Sequence, residues 1–203
     1  MALSSSAEHV VIIGGGATGA LIAVRLAERG FHVTVLEKAL LGNGSSSRSA
    51  AGIRAQFSTE ETVVGMQYSE WWYSHFHDLL HCSADVRQQP VMRQNGYLFL
   101  YEAPDAIPAW QPRRRDEVAR NWHYAQAAAE MQQRLGLPVE VLAPQAIQER
   151  WPHLMPDRLA GATWCPTDGF LLPHMIYNEG FRRAKELGVQ VQQHTEVLGA
   201  ILR

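Results

Sequence analysis

VVIIGGGATGALIAVRLAERGFHVTVLEK, residues 10–38, opens on four β-branched residues, Val10 to Ile13, the composition of a short buried parallel strand. Gly14, Gly16 and Gly19 follow with the spacing G-x-G-x-x-G. The first glycine permits a tight turn, the second lets a pyrophosphate approach the backbone, and the third lets helix and strand pack closely. A helix comes next, with Leu21, Val24 and Leu26 apolar and Ala23 small, and Gly30 closes it. A second strand, Val33 to Leu36, ends in Glu37. A carboxylate about twenty residues past the glycines can accept hydrogen bonds from both hydroxyls of a ribose and would repel a 2′-phosphate. A glycine cluster alone is weak, because it also makes plain turns. Strand, glycines, helix, strand and acid in this order predict a βαβ dinucleotide site that favours an adenosine with a free ribose over NADP.

Outside that unit, composition narrows the class. The chain has 203 residues, of which 46% are hydrophobic and 19% charged, which suits a packed globular protein. A formal net charge of −2, with no basic run longer than Arg113–Arg115, argues against nucleic-acid binding through a broad basic face. Cys82 and Cys165 are the only cysteines and share no CxxC spacing, which fits a reducing compartment without a disulfide framework. No apolar run is long enough for a transmembrane helix. The opening MALSSSAEH lacks the basic region of a signal peptide, so a cytoplasmic location is expected.

Residues 1–8 read as a polar, frayed lead-in. After the βαβ unit comes Leu40–Phe57, LLGNGSSSRSAAGIRAQF, dense in Gly, Ser and Ala. Small side chains let backbone amides face a ligand, and serine hydroxyls add donors. Ser58 and Glu61 form a capping-box pattern, and Val64, Tyr68, Trp71, His75 and Leu79 recur at helical spacing. They predict one helix to about His81 with that face buried. His77 and His81 lie one helical turn apart, but no ligand pattern beyond Asp78 accompanies them, so no metal site is expected.

From Pro90 the pattern changes. YLFLYE, residues 97–102, is a strand with Val91–Arg93 as a possible hairpin partner. Helices are expected over 116–135 and 143–150, and strands over 139–142 and 159–164. Thr167-Asp168-Gly169 reads as a turn. Pro173 to Leu187 makes an amphipathic helix, and Val189–Gln193 is the third parallel strand of the nucleotide domain, reached after an insertion. The expected division is 1–88 for the first segment of the nucleotide domain, 89–157 for part of the inserted domain, and 158–203 for the second segment.

These features together resemble the FAD-dependent oxidoreductases of the D-amino-acid oxidase type, which include glycine oxidase, sarcosine oxidase, dimethylglycine dehydrogenase and proline dehydrogenases. The loop Ser49-Ala50-Ala51-Gly52-Ile53-Arg54-Ala55-Gln56-Phe57 resembles the S-x-G-G-I-R-x-Q-F of one branch, which also holds a mitochondrial complex I assembly flavoprotein. Residues 95–102, Leu142-Ala143-Pro144 with Trp151-Pro152, and Thr167-Asp168-Gly169 are similar to further family segments. The resemblance implies an α/β fold: a Rossmann-like FAD-binding domain with an inserted α+β substrate domain, incomplete at the C-terminus because family members are about twice this length.

It also implies residue roles. Gly14, Gly16 and Gly19, with Ala17 and Thr18, would cradle the FAD pyrophosphate at a helix N-terminus. Glu37 and Lys38 would lie at the adenosine ribose. Ser46, Ser47 and Arg48 would run along the pyrophosphate and ribityl chain, with Gly52 also at the cofactor and Val197 at the adenine. Arg54 would pair with a substrate carboxylate, the alternative being a structural salt bridge. Leu172 stands before Pro173 where the family often has an aspartate, and the loop lacks the histidine that attaches FAD covalently in some members. Noncovalent FAD is therefore expected. No catalytic base stands out. The implied activity is oxidation of the C–N bond of an amino acid or secondary amine, with a second chain or further C-terminal half completing the fold. The alternatives are a catalytically silent, assembly-factor-like flavoprotein or inactive fragment, and an NAD-dependent enzyme, which the serine-rich loop disfavours.

Overall fold

A computed structural model describes residues 8–201. In chain order the elements are β1 (His9–Ile13), α1 (Ala17–Glu28), β2 (His32–Leu36), α2 (Ser45–Arg48), β3 (Gly52–Ile53) and α3 (Glu60–Ser74). Next come α4 (Phe76–Leu79), α5 (Ala84–Arg87), β4 (Met92–Arg93), β5 (Tyr97–Glu102), α6 (Pro112–Arg134) and β6 (Glu140–Leu142). The last are α7 (Pro144–Arg150), β7 (Leu159–Cys165), β8 (Gly169–Leu171), α8 (Pro173–Glu186) and β9 (Gln190–Gln192). They form two compact units. One holds the chain up to Gly52, Ser74–Met92 and the chain from Leu171 onward; the other holds Ile53–Tyr73 and Arg93–Phe170.

The first unit is built on a parallel sheet in the order β1-β2-β9. Val10 pairs with Val33, and Val35 with Val191. Val33 and Val35 are buried, as a β-branched central strand requires. Against the sheet lie α1 and α8, whose close approach depends on small residues: a Cβ on Gly180 would sit 2.9 Å from that of Ala20. Pro173 starts α8 with φ already set for a helix, and Gly188, at φ +89°, ends it in a conformation that disfavours other residues.

The second unit is α+β. Its sheet is antiparallel, in the order β5-β7-β6, with Phe99 opposite Thr163 and Val141 opposite the same residue on the other edge. The helix α6 lies on it, where Gly161 leaves room for Trp122, which in turn meets Tyr101 at 5.3 Å between rings. Ala55, Ala129, Leu137, Val139 and Cys165 form one buried cluster, and Leu142, Ile147 and Ala162 another.

Three expectations need correction. The helix from 58 does not run to His81: it spans Glu60–Ser74, and the chain turns at His75, whose carbonyl accepts the amides of both Asp78 and Leu79. Its buried face is also different. Val64, Tyr68 and Trp71 are about half exposed, whereas Val63 and Glu70 are buried, with Met66 packed on the Ala55 cluster. Spacing identifies a face but not which of two adjacent stripes finds partners. Finally, β5 pairs with β7, so Met92–Arg93 is not its hairpin partner. The polar lead-in over 1–8 falls outside the described residues apart from Glu8, whose carbonyl accepts the amide of His32.

Candidate functional site

Strand β1 ends in a turn that only glycine fits. Gly14 has φ +111° and donates its amide to the carbonyl of Leu36 at 2.8 Å. A Cβ on Gly19 would lie 2.1 Å from the Gly14 carbonyl oxygen, so the third glycine is what lets α1 start so close to the strand. Gly16 caps α1 in extended conformation, and the first-turn amides beyond it have no partner inside the helix. That of Ala17 donates to Ser46 Oγ at 3.0 Å, and those of Thr18 and Gly19 remain as donors to an anion.

The carboxylate of Glu37 closes the turn from the other side. Its Oε2 accepts the Gly15 amide at 2.7 Å and its Oε1 the Ala39 amide at 2.8 Å. These two bonds, Gly15's first, hold the carboxyl below the usual carboxylate range against a small opposing effect of burial. Each oxygen keeps a further lone pair, which a ribose hydroxyl can use. The chain after β9 runs alongside: Glu37 donates to the carbonyl of Gln192, and Thr195 donates to that of Glu37. This places the half-buried Val197 two residues beyond the contact.

The loop after Glu37 is anchored under the glycine turn. The Gly42 amide donates to the carbonyl of Gly15 at 2.8 Å, and Gly42, at φ +75°, lies where any side chain would strike the Tyr177 ring. A cavity of about 660 Å³ opens beside it, lined among others by Lys38, Gly44, Ser45 and Arg48. Ser47 and Gly52 are exposed, and Ser47 Oγ donates to the Gly44 carbonyl. The structure thus gathers Gly14, Gly16, Ala17, Thr18, Gly19, Glu37 and Ser46 around one turn, with Lys38 and Arg48 at the adjoining cavity.

Arg54 belongs to the other unit. Its guanidinium lies over the rings of Phe57 and Phe99, at 4.7 and 5.2 Å from their centroids. It makes no ion pair among the described residues, and its Nε is buried without a hydrogen-bond partner. A cavity of about 710 Å³ within this unit is lined by Arg54, Phe57, Phe99, Tyr101, Gln132 and Thr163, among others.

Sequence reading missed what holds Arg54 in place. Asp168, with none of its surface exposed, accepts the Ala55 amide through Oδ1 at 2.8 Å and Gln56 Nε2 through Oδ2 at 2.9 Å. Gln56 Nε2 also reaches the Tyr97 carbonyl at 3.0 Å, and Gln132 Nε2 donates to that of Phe57 at 2.6 Å. Glu70, 8% exposed, faces Asp168. Burial, and then the charge of Asp168, push the Glu70 carboxyl up to about 8. A carboxyl that stays protonated in the folded chain but ionises in the unfolded one gives stability that is complete below pH 4.5 and is lost as pH rises to about 8. Thermal unfolding at pH 5 and pH 8.5 should show a higher midpoint at pH 5, and Glu70→Gln should flatten the slope, which is at most about 1.4 kcal/mol per pH unit.

The family model described as FAD dependent oxidoreductase (DAO) matches residues 9–203. The chain belongs to that family. It is similar to a glycine oxidase of Geobacillus kaustophilus, 27% identical over 190 residues, which covers 93% of this chain and 46% of that protein. A mitochondrial pyruvate dehydrogenase phosphatase regulatory subunit of Mus musculus is 26% identical, over 100% of this chain and 21% of its own. Among solved structures, an L-proline dehydrogenase from P. horikoshii superposes with a TM-score of 0.74 at 31% identity, covering 99% of this chain and 47% of that one. The chain therefore spans less than half the length of each of these relatives. The family is FAD-dependent, and the parallel sheet β1-β2-β9 with its glycine turn is the family's α/β fold. The donor set suits FAD: free helix N-terminal amides for the pyrophosphate, the spare lone pairs of Glu37 for the ribose, and a turn whose Gly19 has no room for a Cβ. Among the described residues no group of His, Cys, Asp and Glu is placed to hold a metal ion, and no helix is long and apolar enough to cross a membrane.

Proposed function

We propose that the protein oxidises the C–N bond of a carboxylate-bearing amine, such as glycine, sarcosine or proline, with noncovalently held FAD as the hydride acceptor. The observation that carries this reading is the guanidinium of Arg54: lying over the rings of Phe57 and Phe99, unpaired with any acid among the described residues, and lining a cavity with a buried Nε that lacks an acceptor. Leaving a buried donor unsatisfied costs about 1–3 kcal/mol. A ligand carboxylate in the guanidinium plane removes that cost through paired, charge-assisted bonds.

FAD, when bound, takes up the hydride equivalent from the carbon bearing the amine. The chain's residues do the holding. Thr18 and Gly19 amides meet the pyrophosphate, Glu37 the ribose, Ser46 and Ser47 with Lys38 and Arg48 the phosphate side, Gly52 and Val197 the remaining cofactor contacts, and Arg54 orients the substrate. A cytoplasmic location belongs to the same proposal, supported by two buried cysteines that are both free. A second reading, a catalytically silent flavoprotein, is favoured by the similarity to a regulatory subunit. Anaerobic mixing of the flavin-loaded protein with glycine, sarcosine, N,N-dimethylglycine and L-proline separates the two. Bleaching of the visible flavin band by at least one supports the enzyme, and a band unchanged by all of them leaves the silent reading.

The ribose contact has its own test. In Glu37→Gln, one carboxylate oxygen becomes an NH₂ group facing either the Gly15 or the Ala39 amide, so two donors confront each other. The expected result is FAD binding weaker by about 10- to 100-fold, read by titration of the apoprotein against flavin fluorescence.

A further inference from the structure

Two carboxyl groups lie together in the second unit with no cation on either. Asp168 is fully buried, Glu70 nearly so, and neither forms an ion pair among the described residues. Two adjacent buried carboxyls cannot both carry charge, so one of them keeps a proton. The hydrogen bonds say which. Asp168 already accepts from Ala55 and from Gln56 through both its oxygens, and such bonds favour the ionised form. Glu70 has one oxygen, Oε1, buried with no partner, an unfavourable setting for a charged carboxylate. Burial and the neighbouring Asp168 both favour the neutral form of Glu70, which leaves its carboxyl as the donor beside Asp168. Asp168 accepts from Ala55 and Gln56 in the structure, and Glu70 stands beside it as the third donor.

Two of those three bonds grip the residues that follow Arg54. The Ala55 amide is the next backbone group after Arg54, and Gln56 is tied at once to Asp168 and to the Tyr97 carbonyl. Phe57, whose ring lies under the guanidinium, is fixed through its carbonyl by Gln132. Among the described residues no polar partner of the guanidinium is seen, so its place is set by this backbone frame and by the two rings.

We propose that Glu70 and Asp168 are positioning residues for the carboxylate contact of Arg54: neutral Glu70 completes the hydrogen bonding of Asp168, which fixes Ala55–Phe57 and with them the guanidinium. This rests on the reading that Arg54 receives the ligand carboxylate. Neither acid touches the ligand. Both are needed for the arginine to meet it without reorganisation, and a loosened frame lowers affinity because the ordering must then accompany binding.

The test is calorimetric titration of the flavin-loaded protein with benzoate, a simple monocarboxylate, at neutral pH. Wild type binds, and Arg54→Leu loses binding. If Arg54→Leu instead binds as wild type does, the assignment of Arg54 fails and this inference goes with it. If Arg54→Leu does lose binding, Glu70→Ala and Asp168→Asn are each expected to weaken benzoate by about tenfold or more at unchanged flavin content. Glu70→Gln, which keeps a neutral donor toward Asp168, should return to within about threefold of wild type. A merely structural role would lower the unfolding midpoint of Glu70→Ala and leave its benzoate affinity intact, which would overturn the proposal. Glu70→Gln as weak as Glu70→Ala would overturn it too, because the donor would then not be what matters. Should Asp168→Asn fail to fold, the Glu70 pair decides alone.

Discussion

Gly19→Val is expected to yield a protein that folds but is colourless after purification. A Cβ at this position would lie 2.1 Å from the Gly14 carbonyl oxygen and 3.5 Å from Ile12 Cγ2, and the nearer atom is backbone in the turn itself. A flexible side chain could move aside, but this carbonyl cannot without opening the turn. Forcing α1 away from β1 displaces the amides of Thr18 and Gly19 and breaks the close approach on which anion binding at a helix N-terminus depends. Overpacking costs about 1–3 kcal/mol even where the core can adjust, and here the distorted element is also the binding element. Flavin affinity should fall by about 100-fold or more, read as the flavin-to-protein ratio after gel filtration and by titration of the apoprotein. The far-ultraviolet dichroism should remain close to wild type, since the sheet and the α1–α8 contact use other residues. A Gly19→Val protein with the wild-type flavin ratio would remove the glycine turn from the cofactor site.

Arg54→Leu should act on the substrate rather than the cofactor. Arg54 belongs to the second unit and the glycine turn to the first, so the flavin ratio should stay at wild type. What disappears is a bidentate, charge-assisted contact in a partly desolvated cavity, and removing one partner of such a pair costs about 2–5 kcal/mol. The expected loss in kcat/KM for a carboxylate-bearing amine is therefore about 30- to several thousand-fold. Comparison with an analogue that lacks the carboxylate, pyrrolidine against L-proline, makes the assignment specific. Wild type should strongly prefer L-proline, and Arg54→Leu should erase most of that preference while changing pyrrolidine little. Arg54→Lys should fall between, because an ammonium supplies charge without the planar fork. An equal loss on both amines would show that the arginine supports the cavity and not the carboxylate.

The first unit was legible because its signals are local. Val10–Ile13, the three glycines, Glu37 and the VQVQ strand follow one another in an order that has one reading, and the strands they predict pair in parallel, although β1, expected to be buried, lies at the sheet edge with Val11 and Ile13 exposed. The second unit was legible in its elements and less so in its packing. Val64, Tyr68 and Trp71 form an apolar stripe on α3, yet the buried residues are Val63, Glu70 and Trp72, because a carboxyl on another segment receives Glu70. No helical periodicity can report an acid whose partner lies at Asp168. Asp168 itself reads as an ordinary turn residue between Thr167 and Gly169, a place where aspartate is common for local reasons. What would have drawn notice is an acid followed directly by Trp71, Trp72 and Tyr73, together with an aspartate whose turn neighbour Gly169 has no room for a Cβ against the Arg93 carbonyl. Neither names its partner without coordinates.

The chain passes between the two units at Gly52–Ile53, Tyr73–Ser74, Met92–Arg93 and Phe170–Leu171, and this ordering governs how the protein can be made. Thr34 finds Gln190 as its neighbour, and α1 finds α8, only after the whole second unit has left the ribosome. Until then the glycine turn sits in a βα hairpin with one side of β2 unpaired and Ala20 and Ala23 bare. Such distant pairings close slowly, because loop entropy is lost before the contact is gained. The dinucleotide motif is thus synthesised before the second unit and finished after it, and a nascent chain arrested before residue 171 carries every glycine of the motif without the helix that packs against it.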